Sequence, residues 1–213
     1  MTALAWVFLA VFSVAAVANW WTRWTENRRV ELWSKPIALL ALIGVALAID
    51  PVEPTVRAWF VAALACSLAG DVLLLDDRRF VAGLAAFLLA HVAYTIGLIL
   101  GDEWSGRQFA GGVVLMLVVG ASVGRKIVNG AERESPVLGS AVIAYLVAIS
   151  LMFAAAGATG NPWAIVGAGL FVTSDAVLGW RRFVGESRWM APAIMVTYHL
   201  GQAGLVAGLL WVP

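Results

Sequence analysis

Ser67-Leu68-Ala69-Gly70-Asp71-Val72-Leu73-Leu74-Leu75 puts a carboxylate inside an apolar run long enough to cross a bilayer. On insertion scales a charged side chain at membrane depth costs roughly 2.5–3.5 kcal/mol. Such a residue is kept where it faces a cavity, a partner or a substrate. The device recurs at Val172-Thr173-Ser174-Asp175-Ala176-Val177-Leu178. The pattern therefore predicts a scaffold that brings Asp71 and Asp175 together.

The surrounding composition fixes the class. The 213 residues are 62% hydrophobic and 13% charged, against about 25% charged in a soluble domain. The chain reads as one integral membrane domain over residues 1–213, an all-α polytopic helix bundle. The runs lack the two-residue alternation of a membrane barrel, and spanning helices satisfy their own backbone groups in lipid. Eight spans are expected, at 3–20, 36–50, 55–75, 80–100, 109–124, 136–156, 163–180 and 190–212. The first has no basic residue before it and no small-residue cleavage site, so it reads as a retained span. Cys66 is alone, which excludes an internal disulfide. Nothing in the composition points to nucleic acid as a partner.

Basic residues orient the spans. Arg23, Arg28, Arg29, Lys35, Arg78, Arg79, Arg125, Lys126, Arg133, Arg181, Arg182 and Arg188 fall in the odd loops; only Arg57 and Arg107 fall in the even ones. The positive-inside rule then puts the odd loops in the cytoplasm and both termini outside, in a multi-pass protein of the cell (inner) membrane. Trp20, Trp21, Trp33, Trp59, Trp104, Trp163, Trp180, Trp189 and Trp211 lie near span ends, as interfacial aromatic residues do.

The two Asp spans match beyond the Asp. Asp71-x-x-Leu74 precedes Arg78-Arg79-Phe80-Val81, and Asp175-x-x-Leu178 precedes Arg181-Arg182-Phe183-Val184. Each is followed by a span with an internal histidine, His91 or His199, and Pro36 and Pro136 each read as opening a span. This suggests a 4+4 parallel repeat with halves 1–105 and 106–213, related by an axis along the membrane normal.

Asp71 lies seven residues before Arg78, and Asp175 six before Arg181. At 1.5 Å per residue both lie roughly 9–11 Å below the basic layer, at the depth of a lipid's glycerol. Two close carboxyls in low dielectric do not both ionise cheaply, so a pair supplies one acid and one base. The alternative is that each Asp bonds a neighbouring helix independently. Ser67 shares a face with Asp71, and Ser174 precedes Asp175; either hydroxyl orients a carboxyl or simply packs. His91, Tyr94 and Thr95 share a face of span four, while Tyr198, His199 and Gln202 cluster in span eight and Tyr145 sits at comparable depth in span six. These are candidates for a shared polar pocket. No HxxxH or HxxE spacing supports a metal site. Lys35, read as opening span two, is either a lipid-phosphate ligand or a positive-inside anchor.

Lys35-Pro36, Ser67-x-x-Gly70-Asp71-x-x-Leu74, Gly83-x-x-x-Phe87-x-x-x-His91-x-x-Tyr94, Tyr145, Gly167-Ala168-x-Leu170-Phe171-x-x-Ser174-Asp175-x-x-Leu178 and Tyr198-x-x-Gly201-Gln202 occur in order along most of the chain. As a set they resemble the YhhN-like family of bacterial and animal lysoplasmalogenase membrane proteins. The resemblance implies cofactor-free hydrolysis of the vinyl ether bond of a lysoplasmalogen drawn from the bilayer. The products are a fatty aldehyde and a glycerophospho-ethanolamine or -choline. Two carboxylates suit that chemistry, because a vinyl ether hydrolyses by protonation at carbon followed by water addition. Two other readings start from the same residues. A proton-coupled lipid or small-molecule transporter also uses intramembrane carboxylates and a parallel repeat. A structural, partner-binding membrane protein needs neither.

Overall fold

The computed structural model describes residues 1–51, 53–101 and 104–211. Within them the chain is helical, running as α1 (Ala3–Thr25), α2 (Arg28–Ala48), α3 (Pro54–Leu73), a 3-10 turn (Asp77–Arg79), α4 (Phe80–Ile99), α5 (Gly106–Val119), a π-helical turn (Gly120–Gly124), α6 (Arg125–Glu134), α7 (Pro136–Ala158), α8 (Pro162–Phe183) and α9 (Met190–Gly208). Seven helices are long and apolar enough to cross a membrane, with α5, the π turn and α6 forming one continuous segment, Gly106–Glu134. This is a multi-pass membrane protein.

Local signals set the helix ends. Pro54, Pro136 and Pro162 stand in first turns, where the missing N–H has no helical partner to lose. Thr2, Ser105 and Asn161 accept backbone N–H groups as N-caps. Glu26 closes α1 in the left-handed region at φ 53°.

Several sequence boundaries need correction. Pro36 does not open the second span. It lies inside α2, eight residues from the start, because Asn27 caps the helix well before it. The parallel with Pro136 therefore fails. The fifth span does not stop at residue 124. The π turn carries it into α6, so Arg125, Lys126 and Arg133 are helical rather than in a loop. Arg23, Arg181 and Arg182 likewise belong to last helical turns, where cations complement the exposed carbonyls. The eighth expected span falls on the 19-residue α9, which is not among those seven helices; its expected end at Val212 lies outside the described residues.

The bundle is assembled through small residues. α8 and α9 form the most extensive helix pair, with Gly167 facing Gly201 and Gly204. A Cβ built on Gly167 would stand 2.6 Å from the Leu205 backbone nitrogen and 2.8 Å from the Gly201 carbonyl oxygen. Backbones that close need glycine, and in lipid such approach substitutes for the hydrophobic drive between helices. The same contact fixes the register of Asp175 on α8 against Tyr198 on α9. Asn161 Nδ2 ties the start of α8 to the Gly208 carbonyl at 2.9 Å. α1 with α2 and α3 with α4 make further pairs, and α4 crosses to α7. Gly167→Ala is expected to lower stability by about 1–3 kcal/mol, several degrees in a detergent melt. Gly169→Ala, whose new Cβ meets only Phe153 Cε2 at 3.5 Å, is expected to leave the melt unchanged.

Candidate functional site

Each site residue lies on or beside the buried stripe of its helix. On α2, Lys35, Ala38, Leu39, Leu42 and Val45 point inward. On α3 the stripe is Phe60, Leu64, Ser67 and Asp71. On α4 it is Phe87, His91, Tyr94 and Leu98, and on α7 Val142, Tyr145, Ile149 and Met152. This 3.6-residue periodicity points the polar groups into the protein.

Asp71 is 1% exposed. Its Oδ1 lies 3.0 Å from Lys35 Nζ, and its Oδ2 accepts the Tyr198 hydroxyl at 2.9 Å. Lys35 is itself only 8% exposed. It lies within α2 rather than at a helix opening, and it lines the same cavity as Asp71. It is the counter-ion that makes a buried carboxylate tolerable, since a charge in low dielectric is retained when it is paired and hydrogen-bonded. Gly70 lets Phe87 come over this site: a Cβ there would lie 2.6 Å from the ring.

Asp175 has a different set of partners. Its Oδ2 accepts the Tyr145 hydroxyl at 2.5 Å and lies 3.1 Å from His91 Nε2. His91 Nε2 also sits 3.0 Å from the Tyr145 oxygen, and its Nδ1 faces Met152 Sδ at 3.4 Å. The carboxyl side chain is 11% exposed, so it is the more open of the two. The carboxyls are not hydrogen-bonded to each other; each is held by its own donors.

Both carboxyls line one cavity of about 1040 Å³. Its floor includes Lys35, Asp71, Asp175, Ser174 and Tyr198, and its mouth includes Arg28, Arg78, Arg181, Arg182 and Arg188. The cavity therefore opens at the arginine-rich end. Arg182 is held there by a two-pronged contact with Glu134 at 2.6 and 2.8 Å, and Arg181 by Glu186. Arg78 is paired with Asp76 at 3.0 Å, which holds the half-buried Asp76 carboxyl below its usual range.

The other expected pocket residues divide between this cavity and the interior. Ser67, Gln202 and Tyr94 form a separate buried chain: Gln202 Nε2 donates to Ser67 Oγ at 3.0 Å, and Tyr94 donates to Gln202 Oε1 at 2.5 Å. Ser174 donates to the Ile194 carbonyl at 3.1 Å, which locks α8 to α9. His199 does not join the carboxyls. It turns toward α1, where Trp20 Nε1 donates to its Nδ1 at 3.0 Å and Phe12 meets it edge-on. The contacts of Met152 with His91 and of Trp20 with His199 carried no sequence signal, because an apolar Met and an interfacial Trp suit any membrane helix.

Lys35→Met strands the Asp71 charge and is expected to cost about 3–5 kcal/mol, read as a depressed detergent melt. The double variant Lys35→Met/Asp71→Leu is expected to recover most of that loss. A single Lys35→Met variant as stable as wild type would show that the pair is not ionic.

Residues 30–209 match the YhhN family. A lysoplasmalogenase of Mycobacterium bovis is 32% identical over 179 residues, covering 80% of this chain and 67% of that protein, and the Mycobacterium tuberculosis lysoplasmalogenase gives the same figures. Human lysoplasmalogenase TMEM86B is 29% identical over 153 residues, covering 71% of this chain and 63% of its own length. No solved structure matches. Both carboxylates, their donors and the cavity floor lie inside the matched segment, and the chain belongs to the YhhN family.

Proposed function

We propose that this chain is an ether hydrolase that cleaves the vinyl ether bond of lysoplasmalogens, releasing a fatty aldehyde and a glycerophospho-ethanolamine or -choline. Its relatives carry the lysoplasmalogenase name, and the transporter reading finds no support among them. The observation that carries the chemistry is the unequal environment of two carboxyls lining one cavity. Asp71 has a cation 3.0 Å away, whereas the donors to Asp175 are a phenol and an imidazole.

That inequality assigns the roles. Asp175 is the acid: a proton on its Oδ1, opposite the oxygen occupied by Tyr145 and His91, passes to the vinyl carbon distal to the ether oxygen. The ether carbon becomes an oxocarbenium ion. Asp71, paired with Lys35, stabilises that cation and then takes a proton from the water that adds to it. The hemiacetal collapses with one proton moving to the glycerol oxygen, so the glycerol C–O bond stays intact and the ether-carbon bond breaks. Solvent exchange through the cavity returns the Asp71 proton to Asp175, and no cofactor enters the balance. Arg28 and Arg188 at the mouth, neither in an ion pair among the described residues, supply cations for the substrate phosphate.

The same reading includes an eighth span at α9, the arginine-rich end in the cytoplasm, both termini outside, and placement in the cell (inner) membrane. It retains the repeat of 1–105 and 106–213. Support comes from the donors, which cross between halves. Asp71 is held by Lys35 from the second helix of its own half and Tyr198 from the fourth helix of the other. Asp175 is held by Tyr145 from the second helix of its own half and His91 from the fourth of the other. A two-fold axis between the halves produces that pattern.

Aldehyde release from lysoplasmalogen by purified protein tests the proposal. Asp175→Asn and Asp71→Asn are each expected to lower kcat at least 100-fold, the scale of a lost acid or base. Tyr145→Phe is expected to fall between them and wild type. Near-normal turnover in Asp175→Asn, whose amide oxygen can still accept from Tyr145 and His91, would refute the mechanism.

A further inference from the structure

Asp175 borders a second cavity of opposite character. This one is small, about 70 Å³, and is lined by Leu84 of α4, Met116 and Val119 of α5, Val142 and Ile149 of α7 and Val172 of α8. Phe80, Asp175 and Leu178 line both it and the polar cavity. The carboxyl thus stands on the boundary between a polar chamber and an apolar one.

The helices that line this apolar cavity are loosely joined on one side. α4 and α5 each pack on α7 but make little contact with each other. Between them the wall is the π turn Gly120–Gly124. Ser122 donates back to the Val118 and Val119 carbonyls at 2.9 and 3.1 Å, satisfying groups that a π turn takes out of the regular ladder. A Cβ at Gly120 would meet nothing within 4 Å. Gly120, Val123 and Gly124 of the turn line the groove together with Asp175.

We propose that this groove seats the first carbons of the substrate's hydrocarbon chain, with the remainder leaving between α4 and α5 into the bilayer. The inference rests on the hydrolase reading and adds its chain-binding subsite. A vinyl ether joins a polar glycerol to an apolar chain, so the bond must sit where a polar chamber meets an apolar one. Asp175 occupies that boundary. Seated this way, the headgroup faces Arg28 and Arg188 while the chain runs away from them, and the reacting carbon is presented to the carboxyl.

Two measurements test it. In the first, Val142→Trp and Gly120→Trp fill the groove. Both are expected to raise KM at least tenfold for substrates with 16- or 18-carbon chains and to shift the chain-length profile toward short chains. Val118→Trp, on the lipid-facing side of α5, is expected to keep the wild-type profile. An unchanged profile in both groove variants would overturn the proposal. The second uses wild-type protein, so misfolding of a variant cannot obscure it. A non-hydrolysable alkyl-ether lysophospholipid with a diazirine near the head of its chain is expected to label α5 and α7 around Val123 and Val142. A two-chain phospholipid carrying the same group is expected to label exposed faces instead. Lysolipid label on α1, α2, α3 or α9, which do not line the groove, or equal labelling of the groove by both lipids, would overturn the proposal. Groove labelling without aldehyde release would uphold the subsite and remove the reaction.

Discussion

The structure depends on the compensation of two carboxylates at membrane depth. Either one, left alone among apolar helices, costs enough to oppose insertion. The fold answers this twice, with a lysine and a tyrosine on Asp71 and with a tyrosine and a histidine on Asp175. Those donors come from α2, α9, α7 and α4, so satisfying two side chains specifies how six helices stand relative to one another. A buried ion pair contributes little net stability compared with apolar packing, yet breaking it by removing one partner is severe. That asymmetry explains how a polar site of modest energetic value still dictates the arrangement of an apolar bundle.

The unequal compensation also makes the site chemically useful. Two identical side chains differ because one sits beside a lysine amine and a phenol and the other beside a phenol and an imidazole. In the proposed mechanism that difference in environment separates the acid from the base. The aromatic ring of Phe87, brought close by Gly70, and the edge-to-face contacts of Phe171 with His91 and Tyr198 surround the carboxyls with apolar surface. Electrostatic differences are strong in such surroundings. Polar floor, arginine-rich mouth and apolar side groove together match the three parts of a lysophospholipid.

Much of this was legible in the sequence. The composition and the long apolar runs read directly as a helical membrane protein, because lipid permits few other solutions. The two aspartates stood out because charge is rare at that depth. What misled was punctuation. Pro36 reads as a helix start, and beside it Lys35 reads as a phosphate ligand or an anchor; yet Lys35 lies on the same stripe as Ala38, Leu39 and Leu42, a spacing that marks it as buried. The end of the fifth span was hidden for a similar reason: basic residues after Gly124 look like a loop, whereas the π turn lets α5 run on into α6. His199 matched His91 in spacing but not in surroundings, since which helix it meets is a tertiary fact. Likewise the donors to each Asp come from other helices up to 127 residues away, a relation that no local pattern encodes.

The account turns on proton transfer to carbon and on which bond opens. Hydrolysis of a lysoplasmalogen by the purified protein in isotopically labelled water addresses both at once. In D₂O the turnover should slow by a primary solvent isotope effect, and in ¹⁸O water the glycerophospho product should carry no label, because water adds to the ether carbon. Incorporation of ¹⁸O into the glycerol oxygen, or turnover indifferent to D₂O, would contradict a mechanism in which Asp175 protonates the vinyl carbon while Asp71 directs water to the cation it leaves.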